Sequence, residues 1–329
     1  MQTNISKIYK DKTILITGGT GYIGSCLTHA LSKIDCNLKV LSGSSSSWIP
    51  ETNNANMTLL YGDVSNFSLW STILDDVDYI FHLASVEGIN NHKREIEVNV
   101  MSILHLINVC KSKGLSPKIV FSSSANIFGN VSSVPVNEEF RDKPGSIWSI
   151  HKLLVEQYLK LYYYQFNINS VCLRLPNVYG IAPNKQTITR AVINKVIYKA
   201  LNGDNLFLYS NHNCIRDYIF IDDVISALLL AGGMEKDVSK GQFYVIGSEE
   251  GKTISEAWKL ISKKVSEKLG EEVIIEKDSA YKLAPIEMRN FIAKTSSFNK
   301  ETGWNSEITF EKGIELTVDA MWDSLHMHI

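Results

Sequence analysis

The chain is 329 residues long, with 44% hydrophobic and 21% charged side chains and a formal net charge of −2. These proportions are those of a globular protein with a large core, and the near-balanced charge argues against a nucleic-acid or anionic membrane surface. No apolar run is long enough to cross a bilayer, Met1–Lys12 lacks the apolar core of a signal peptide, and Cys26, Cys36, Cys110, Cys172 and Cys214 show no metal-type spacing, so a cytoplasmic protein with reduced thiols and no bound metal is expected.

In chain order, Thr13–Thr17 (TILIT) reads as a buried strand, followed by a helix over Tyr22–Lys33. A second strand, Lys39–Leu41, runs into a serine-rich stretch, Ser42–Ser47. Strands at Tyr79–Leu83, Lys118–Ser122 and Asn169–Leu175 follow, with a helix at Ile96–Lys113 between the first two. Short apolar runs alternating with helical periodicity predict an α/β fold with a Rossmann-like doubly wound parallel sheet. Further helices are predicted near Thr187–Asn202, Asp222–Gly232 and Ser255–Leu269. The pattern loosens near Gly180, so residues 1–180 are assigned to a dinucleotide-binding domain. Residues 181–329 form a smaller α/β substrate domain, some of whose segments return to the sheet.

Gly18, Gly21 and Gly24 form G-x-x-G-x-x-G between the first strand and its helix. The first glycine permits the tight turn, the second lets backbone N–H groups approach a pyrophosphate, and the third lets the helix pack against the sheet. The helix N-terminus, opening at Tyr22 and Ile23, then faces the phosphate charge. An NAD site usually carries an acid after the second strand for the ribose 2′-OH. Here that strand ends Leu41-Ser42-Gly43-Ser44, with neither an acid nor an adjacent arginine. The cofactor is therefore read as NAD(P), with NADP(H) slightly favoured and Ser42 the ribose contact.

The ordered motifs resemble the extended short-chain dehydrogenase/reductase family, especially its nucleotide-sugar enzymes, over nearly the whole chain. TGGTGYIG (Thr17–Gly24) opens the resemblance, and Gly62-Asp63-Val64 is similar to the family's adenine contact. His82-Leu83-Ala84-Ser85 resembles the strand end beneath the nicotinamide ribose, and Asn99 sits in the helix motif N-V-x-x-x. Ser122-Ser123-Ser124 followed by Ile127-Phe128-Gly129 resembles the strand that carries the catalytic serine. Leu173–Gly180 (LRLPNVYG) resembles the segment between cofactor and sugar, bringing in Leu175, Asn177 and Val178. Arg216–Val224 (RDYIFIDDV) resembles the segment whose arginine meets the nucleotide diphosphate, and Glu287–Lys294 with Gly303-Trp304 resembles the C-terminal signature.

The resemblance implies three catalytic groups: a tyrosine that exchanges the carbinol proton, a lysine four residues on, and a serine that bonds the reacting oxygen. Ser124 and Lys152 match, with Lys152 also holding the nicotinamide ribose; the tyrosine position holds Trp148. Spacing of i, i+4 keeps Trp148 and Lys152 on one helix face. An indole has one N–H donor and no acid–base equilibrium near neutrality, whereas a phenol donates and accepts. Loss of such a group costs about 10²–10⁴ in rate. The proton can be rerouted through Ser124 and water, Lys152 or His151; the reaction can be one that tolerates slow transfer; or the chain can bind without turnover. The Asp-Glu pair of the family's 4,6-dehydratases is replaced by Ala125 and Asn126, which argues against dehydration.

Substrate contacts are expected from Glu87, Ser124 and Asn177. Arg216 and Arg289 are the candidate diphosphate clamps, because a guanidinium binds phosphate bidentately. The function expected is NAD(P)-dependent oxidation, reduction or epimerisation of a nucleotide sugar through a keto sugar. The alternative is a non-catalytic nucleotide-sugar or dinucleotide binder. The resemblance also implies a homodimer through Ile96–Lys113 and Ile150–Phe166, with Ile103, Leu106, Ile107, Leu154 and Leu161 as apolar positions at helical spacing.

Overall fold

The computed structural model describes residues 2–43, 48, 54–88, 91–278 and 281–326, so positions 44–47 of the serine-rich stretch lie outside the described residues. Within them the strands are β1 (Thr13–Thr17), β2 (Asn37–Ser42), β3 (Asn56–Tyr61), β4 (Tyr79–His82), β5 (Lys118–Ser124) and β6 (Ser170–Leu175). Then come β7 (Asn177–Tyr179), β8 (Leu206–Leu208), β9 (Ile215–Phe220), β10 (Phe243–Val245), β11 (Gly251–Thr253) and β12 (Ile275–Lys277). The main sheet has the order β3-β2-β1-β4-β5-β6-β10, and every pair in it is parallel. The Rossmann-like doubly wound sheet is therefore present.

Strands covered on both faces read as continuous apolar runs, which is why β1 and β6 are buried almost throughout. One core layer packs helix Tyr22–Leu31 and helix Ile221–Gly232 on one face. The other packs helices Phe67–Ile73, Ser102–Lys113 and Ile147–Phe166 on the opposite face. Strand order reverses between β1 and β4, and in such sheets ligands bind beyond the carboxyl ends of the strands at that reversal.

Three departures from the sequence reading bear on the site. The helix predicted from Ile96 begins at His92 and contains a π-helical segment, Glu97–Met101, before Ser102–Lys113. Such bulges frequently mark functional positions, and Asn99 lies at its centre. Strand β3 is an addition to the strands that the sequence predicts. The opening segment forms helix Gln2–Tyr9, whose Tyr9 is fully buried and donates its hydroxyl proton to the Leu229 carbonyl at 2.6 Å.

The chain beyond Gly180 returns β10 to the main sheet beside β6. Its strands β9 and β11 also join β7 in a second sheet, β11-β9-β7. Register links these sheets to the end of β5: Ser124 pairs with Leu175, and Asn177, which follows Pro176, pairs with Tyr218, two residues after Arg216. A buried charge network stiffens the junction. Arg174, with no exposed surface, bonds Asp142 at 2.6 Å and Glu156 at 2.6 Å, and its guanidinium lies over the rings of Phe243 and Phe128. Ser123 donates to Glu156 at 2.5 Å, tying β5 to the same network.

Candidate cofactor and active site

Gly18 sits in the left-handed region with φ of 65°, and its carbonyl accepts the Gly21 N–H at 2.9 Å. A Cβ on Gly24 would stand 2.0 Å from the Gly18 carbonyl oxygen, so only glycine lets the helix approach this closely. A Cβ on Gly21 would touch that oxygen alone, at 3.1 Å, and otherwise occupy open space. Helix Tyr22–Leu31 starts from Gly21 with no side chain capping it. Its first N–H groups, at Tyr22, Ile23 and Gly24, form an uncapped helix end suited to an anion. The Tyr22 hydroxyl is turned away from this end and donates to the Gly180 carbonyl at 2.8 Å.

The walls on either side of the turn are set by short polar contacts. Ser42 is buried at the end of β2, with its hydroxyl 2.8 Å from that of Thr20. Asp63 follows β3; burial alone would raise its pKa, but Arg94, paired with its carboxylate at 2.7 Å, and Ser65, which donates to it twice, together hold that pKa below the ordinary carboxylate value. The Val64 side chain is buried beside it and its carbonyl accepts the Trp70 indole N–H at 2.8 Å. At the reversal point the Thr17 hydroxyl oxygen accepts the N–H groups of Leu83 and Ala84, each at 3.2 Å. Sequence reading missed both Thr17 and Arg94. A strand-end threonine is a weak signal, and nothing in the spacing links Arg94 to Asp63.

Asn99 organises the loop beyond β4. Its Oδ1 accepts from the Ser85 hydroxyl at 3.0 Å and the Val86 N–H at 2.9 Å, and its Nδ2 donates to the Val86 carbonyl at 2.7 Å. The same Nδ2 lies 3.4 Å from Nδ1 of His151, which is buried against this amide rather than aimed at the site.

A capping box of Ser146 and Ser149 fixes the start of helix Ile147–Phe166 and so the placement of Trp148 and Lys152. Trp148 donates its indole N–H to the Ser85 hydroxyl oxygen at 3.0 Å. Lys152 is buried and donates from Nζ to the Ser122 carbonyl at 2.8 Å. The rings of Phe121 and Trp148 lie 4.7 and 5.3 Å from that ammonium. Burial drives its pKa down to about 8, with Glu87, Glu156 and Cys172 opposing. Ser124 is buried at the end of β5, and its Oγ accepts the Asn126 N–H at 3.1 Å, leaving its own proton free to donate. Glu87 is exposed on the loop after β4; desolvation there raises its pKa, Lys152 lowers it and Glu95 adds to the rise.

Leu175 is buried at the end of β6 and Val178 is half-buried in β7. Asn177 between them donates to the Asp217 carbonyl at 3.4 Å. Arg216 is buried and donates to the backbone carbonyls of Ile215, Glu287 and Arg289. Arg289 donates to the Ile286 carbonyl at 2.9 Å. Its pKa falls to about 10, from burial first and the neighbouring Arg216 charge second. Among the described residues neither guanidinium is ion-paired to a carboxylate. Two close cations held by backbone alone form a site that favours an anion.

Where Lys152 stands decides the class. It rises from a helix packed on β5 and bonds the Ser122 carbonyl of the strand that ends at Ser124, while the glycine turn follows β1 of the same sheet, an arrangement like that of an extended short-chain dehydrogenase/reductase. Comparison with known proteins bears this out. The chain belongs to the NAD dependent epimerase/dehydratase family, whose profile matches residues 14–247. It is similar to UDP-glucose 4-epimerase of Azospirillum brasilense, 31% identical over 239 residues, covering 66% of this chain and 67% of that protein. A solved structure of UDP-glucose 4-epimerase from Thermotoga maritima with UDP-glucose has a TM-score of 0.81 and 25% identity, covering 95% of this chain and 100% of the other. One of UDP-N-acetylglucosamine 4-epimerase from Methanobrevibacter ruminantium, with UDP-N-acetylmuramic acid, has a TM-score of 0.83 and 25% identity over 96% and 99% of the two chains.

Proposed function

We propose that the chain is a nucleotide-sugar enzyme that oxidises, reduces or epimerises a ring carbon through a keto sugar, and that a UDP-linked hexose is its substrate. The observation that carries this reading is the pair Arg216 and Arg289, unpaired to any carboxylate among the described residues and linked by sheet register through Asn177 and Leu175 to Ser124. The names of the similar proteins support the UDP-sugar and point to C4.

The residues fit a nicotinamide dinucleotide. The cradle that a Cβ on Gly21 would fill, and the uncapped helix behind it, suit a pyrophosphate. When bound, the cofactor supplies the hydride acceptor and donor. Lys152 would hold the nicotinamide ribose through its remaining N–H donors, while Leu83, Ala84 and Ser85 form the floor set by Thr17 and Asn99. Ser124 would donate to the reacting oxygen, and Arg216 with Arg289 would hold the diphosphate. The absent acid after β2 favours NADP(H) over NAD by a small margin; titrating cofactor-free protein with both decides it, and clearly tighter NAD reverses the preference.

The competing reading, a binder without turnover, is favoured by one observation: the indole of Trp148 cannot exchange the proton that the family's phenol exchanges. Purified protein with bound nicotinamide separates the two readings. In an enzyme the nicotinamide absorbance changes when a UDP-hexose is added and new sugar nucleotide accumulates. In a binder the absorbance and the sugar stay as they were.

A further inference from the structure

We infer that Lys152 itself exchanges the proton of the sugar's reacting oxygen, taking over the task of the phenol that Trp148 replaces. The inference rests on the nucleotide-sugar reading above and names the group that makes turnover possible.

The other polar groups of the strand ends and of the lysine-bearing helix are committed elsewhere or lack a usable proton equilibrium, and Glu87, exposed on the loop after β4, is the one further titratable group named among the substrate contacts. The Trp148 N–H is donated to Ser85, whose own proton goes to Asn99. The ring nitrogen has no lone pair to accept with. His151 faces the Asn99 amide. Glu156 is locked between Ser123 and Arg174. Ser124 has a free proton to donate but no base in hydrogen-bond contact to make it an acceptor.

Lys152 differs from all of these. Its one hydrogen bond is to the Ser122 carbonyl, on the strand that ends two residues later at Ser124, and it forms no ion pair among the described residues. Aromatic rings of Phe121 and Trp148 flank the ammonium of the buried side chain. Groups that face it are Glu87 from the loop after β4, Glu156 one turn along its own helix, Cys172 on β6 and His82 on β4. Burial outweighs the two acids and brings the amine to about 8, where both protonation states are populated near neutrality. Trp148 thus acts by apolar enclosure: it supplies no proton, but it keeps the amine dry enough to give one up.

The step balances simply. In oxidation the neutral Nζ takes the carbinol proton: the O–H bond breaks and an N–H bond forms. The O–H electron pair becomes the second carbon–oxygen bond, and a bound oxidised nicotinamide would supply the acceptor for the ring hydrogen and its electron pair. In reduction of the keto sugar the reduced cofactor would supply that hydrogen with its pair, and the Lys152 ammonium would return the proton.

The test compares wild type with Lys152→Arg, Lys152→Ala and Glu87→Gln, reading turnover of UDP-hexoses against pH and dinucleotide affinity by calorimetry. Wild-type turnover should climb with pH and level off above the titration of the amine. Lys152→Arg keeps a cation for the ribose but cannot deprotonate, so it should bind dinucleotide within tenfold of wild type and lose about 10²–10⁴ in turnover. Methylamine should restore part of the activity of Lys152→Ala in proportion to its free-base concentration. Glu87→Gln removes an acid that favours the ammonium, so the pH midpoint of its remaining turnover should move down. The inference is overturned if Lys152→Arg stays within a few-fold of wild type. It is also overturned if Lys152→Ala binds dinucleotide yet is not rescued, or if the Glu87→Gln midpoint stays at or above that of wild type. Wild type that turns over no nucleotide sugar at any pH would instead bring down the functional reading itself, and this inference with it.

Discussion

The indole N–H of Trp148 is hydrogen-bonded to the Ser85 hydroxyl at 3.0 Å, joining the first turn of the lysine-bearing helix to the loop beyond β4. Replacing Trp148 with Phe removes the donor and leaves an aromatic ring. The expected cost is about 1 kcal/mol or less of stability in denaturant titration, because Ser85 is exposed and can bond water instead. Turnover should change little, with any loss in substrate affinity. Trp148→Tyr restores a phenol and should raise turnover if its oxygen reaches the sugar. If wild type proves inactive on a broad nucleotide-sugar panel while Trp148→Tyr is active, the rerouted-proton reading fails and the chain is an inactivated enzyme.

The two glycines that shape the turn should separate binding from folding. Gly21→Val places its side chain in the open cradle, so the protein should fold normally and bind no dinucleotide. Unchanged cofactor affinity in that variant would remove the site from this turn. Gly24→Ala drives a methyl into the Gly18 carbonyl, and should destabilise the fold by about 1–3 kcal/mol. A lowered denaturant midpoint checks it.

His82 makes the protein acid-sensitive. It is buried between the Thr17 and Ser102 hydroxyls, and burial, reinforced by Lys152, lowers its pKa to about 3. The folded pKa lies below the unfolded one, so the unfolded chain binds the proton first as pH falls. Stability from the neutral ring is complete above about pH 6.5 and is lost progressively towards the folded value of about 3. A His82→Gln variant keeps polar contacts without this titration. Its unfolding free energy should be flatter with pH across that window; an equally steep slope would move the origin elsewhere.

The helix pair read as a dimer interface needs one correction. Ile103, Leu106 and Ile107 are fully buried within the chain, because the face of Ser102–Lys113 that carries them packs onto the sheet. The apolar residues left exposed include Ile96 and Met101 on one side and Ile147, Ile150, Leu154, Leu161 and Phe166 on the other. An isologous dimer through this patch is predicted. Light scattering at micromolar concentration should give twice the chain mass, falling to the monomer mass in Leu154→Asp. A monomeric wild type contradicts the prediction.

The glycine turn and the parallel strands were legible because each follows a local rule of spacing, while Ser124 and Lys152 were singled out by the family resemblance. The commitment of a side chain to a distant partner was not. Nothing in the sequence says that Asp63 is held by Arg94, that Ser42 is buried against Thr20, or that the Trp148 N–H is used on Ser85. Those pairings join elements far apart in sequence and exist only after the sheet has ordered them. Strand β3 escaped notice because its residues are largely half-exposed and include Asn and Thr, which weakens the apolar run. The π-helical segment carries no recognisable periodicity of its own.

Arg174 has a consequence for how this lineage can change. It is enclosed by two aromatic rings and bonded to carboxylates from two other segments, Asp142 and Glu156. Replacing Arg174 leaves the buried Glu156 carboxylate and its neighbour Asp142 without their cation, at a cost of about 3–5 kcal/mol, whereas a coordinated swap to well-packed apolar residues can be neutral. Exchange of Arg174 is therefore far less costly when the carboxylates change with it. Ser123 is bonded to the same carboxylate and Ser124 is its neighbour in the chain. The strand end that carries the candidate hydroxyl of Ser124 is thus tied to positions that must change together, while Trp148, half-exposed and joined to the loop by one hydrogen bond, sits where replacement is cheap.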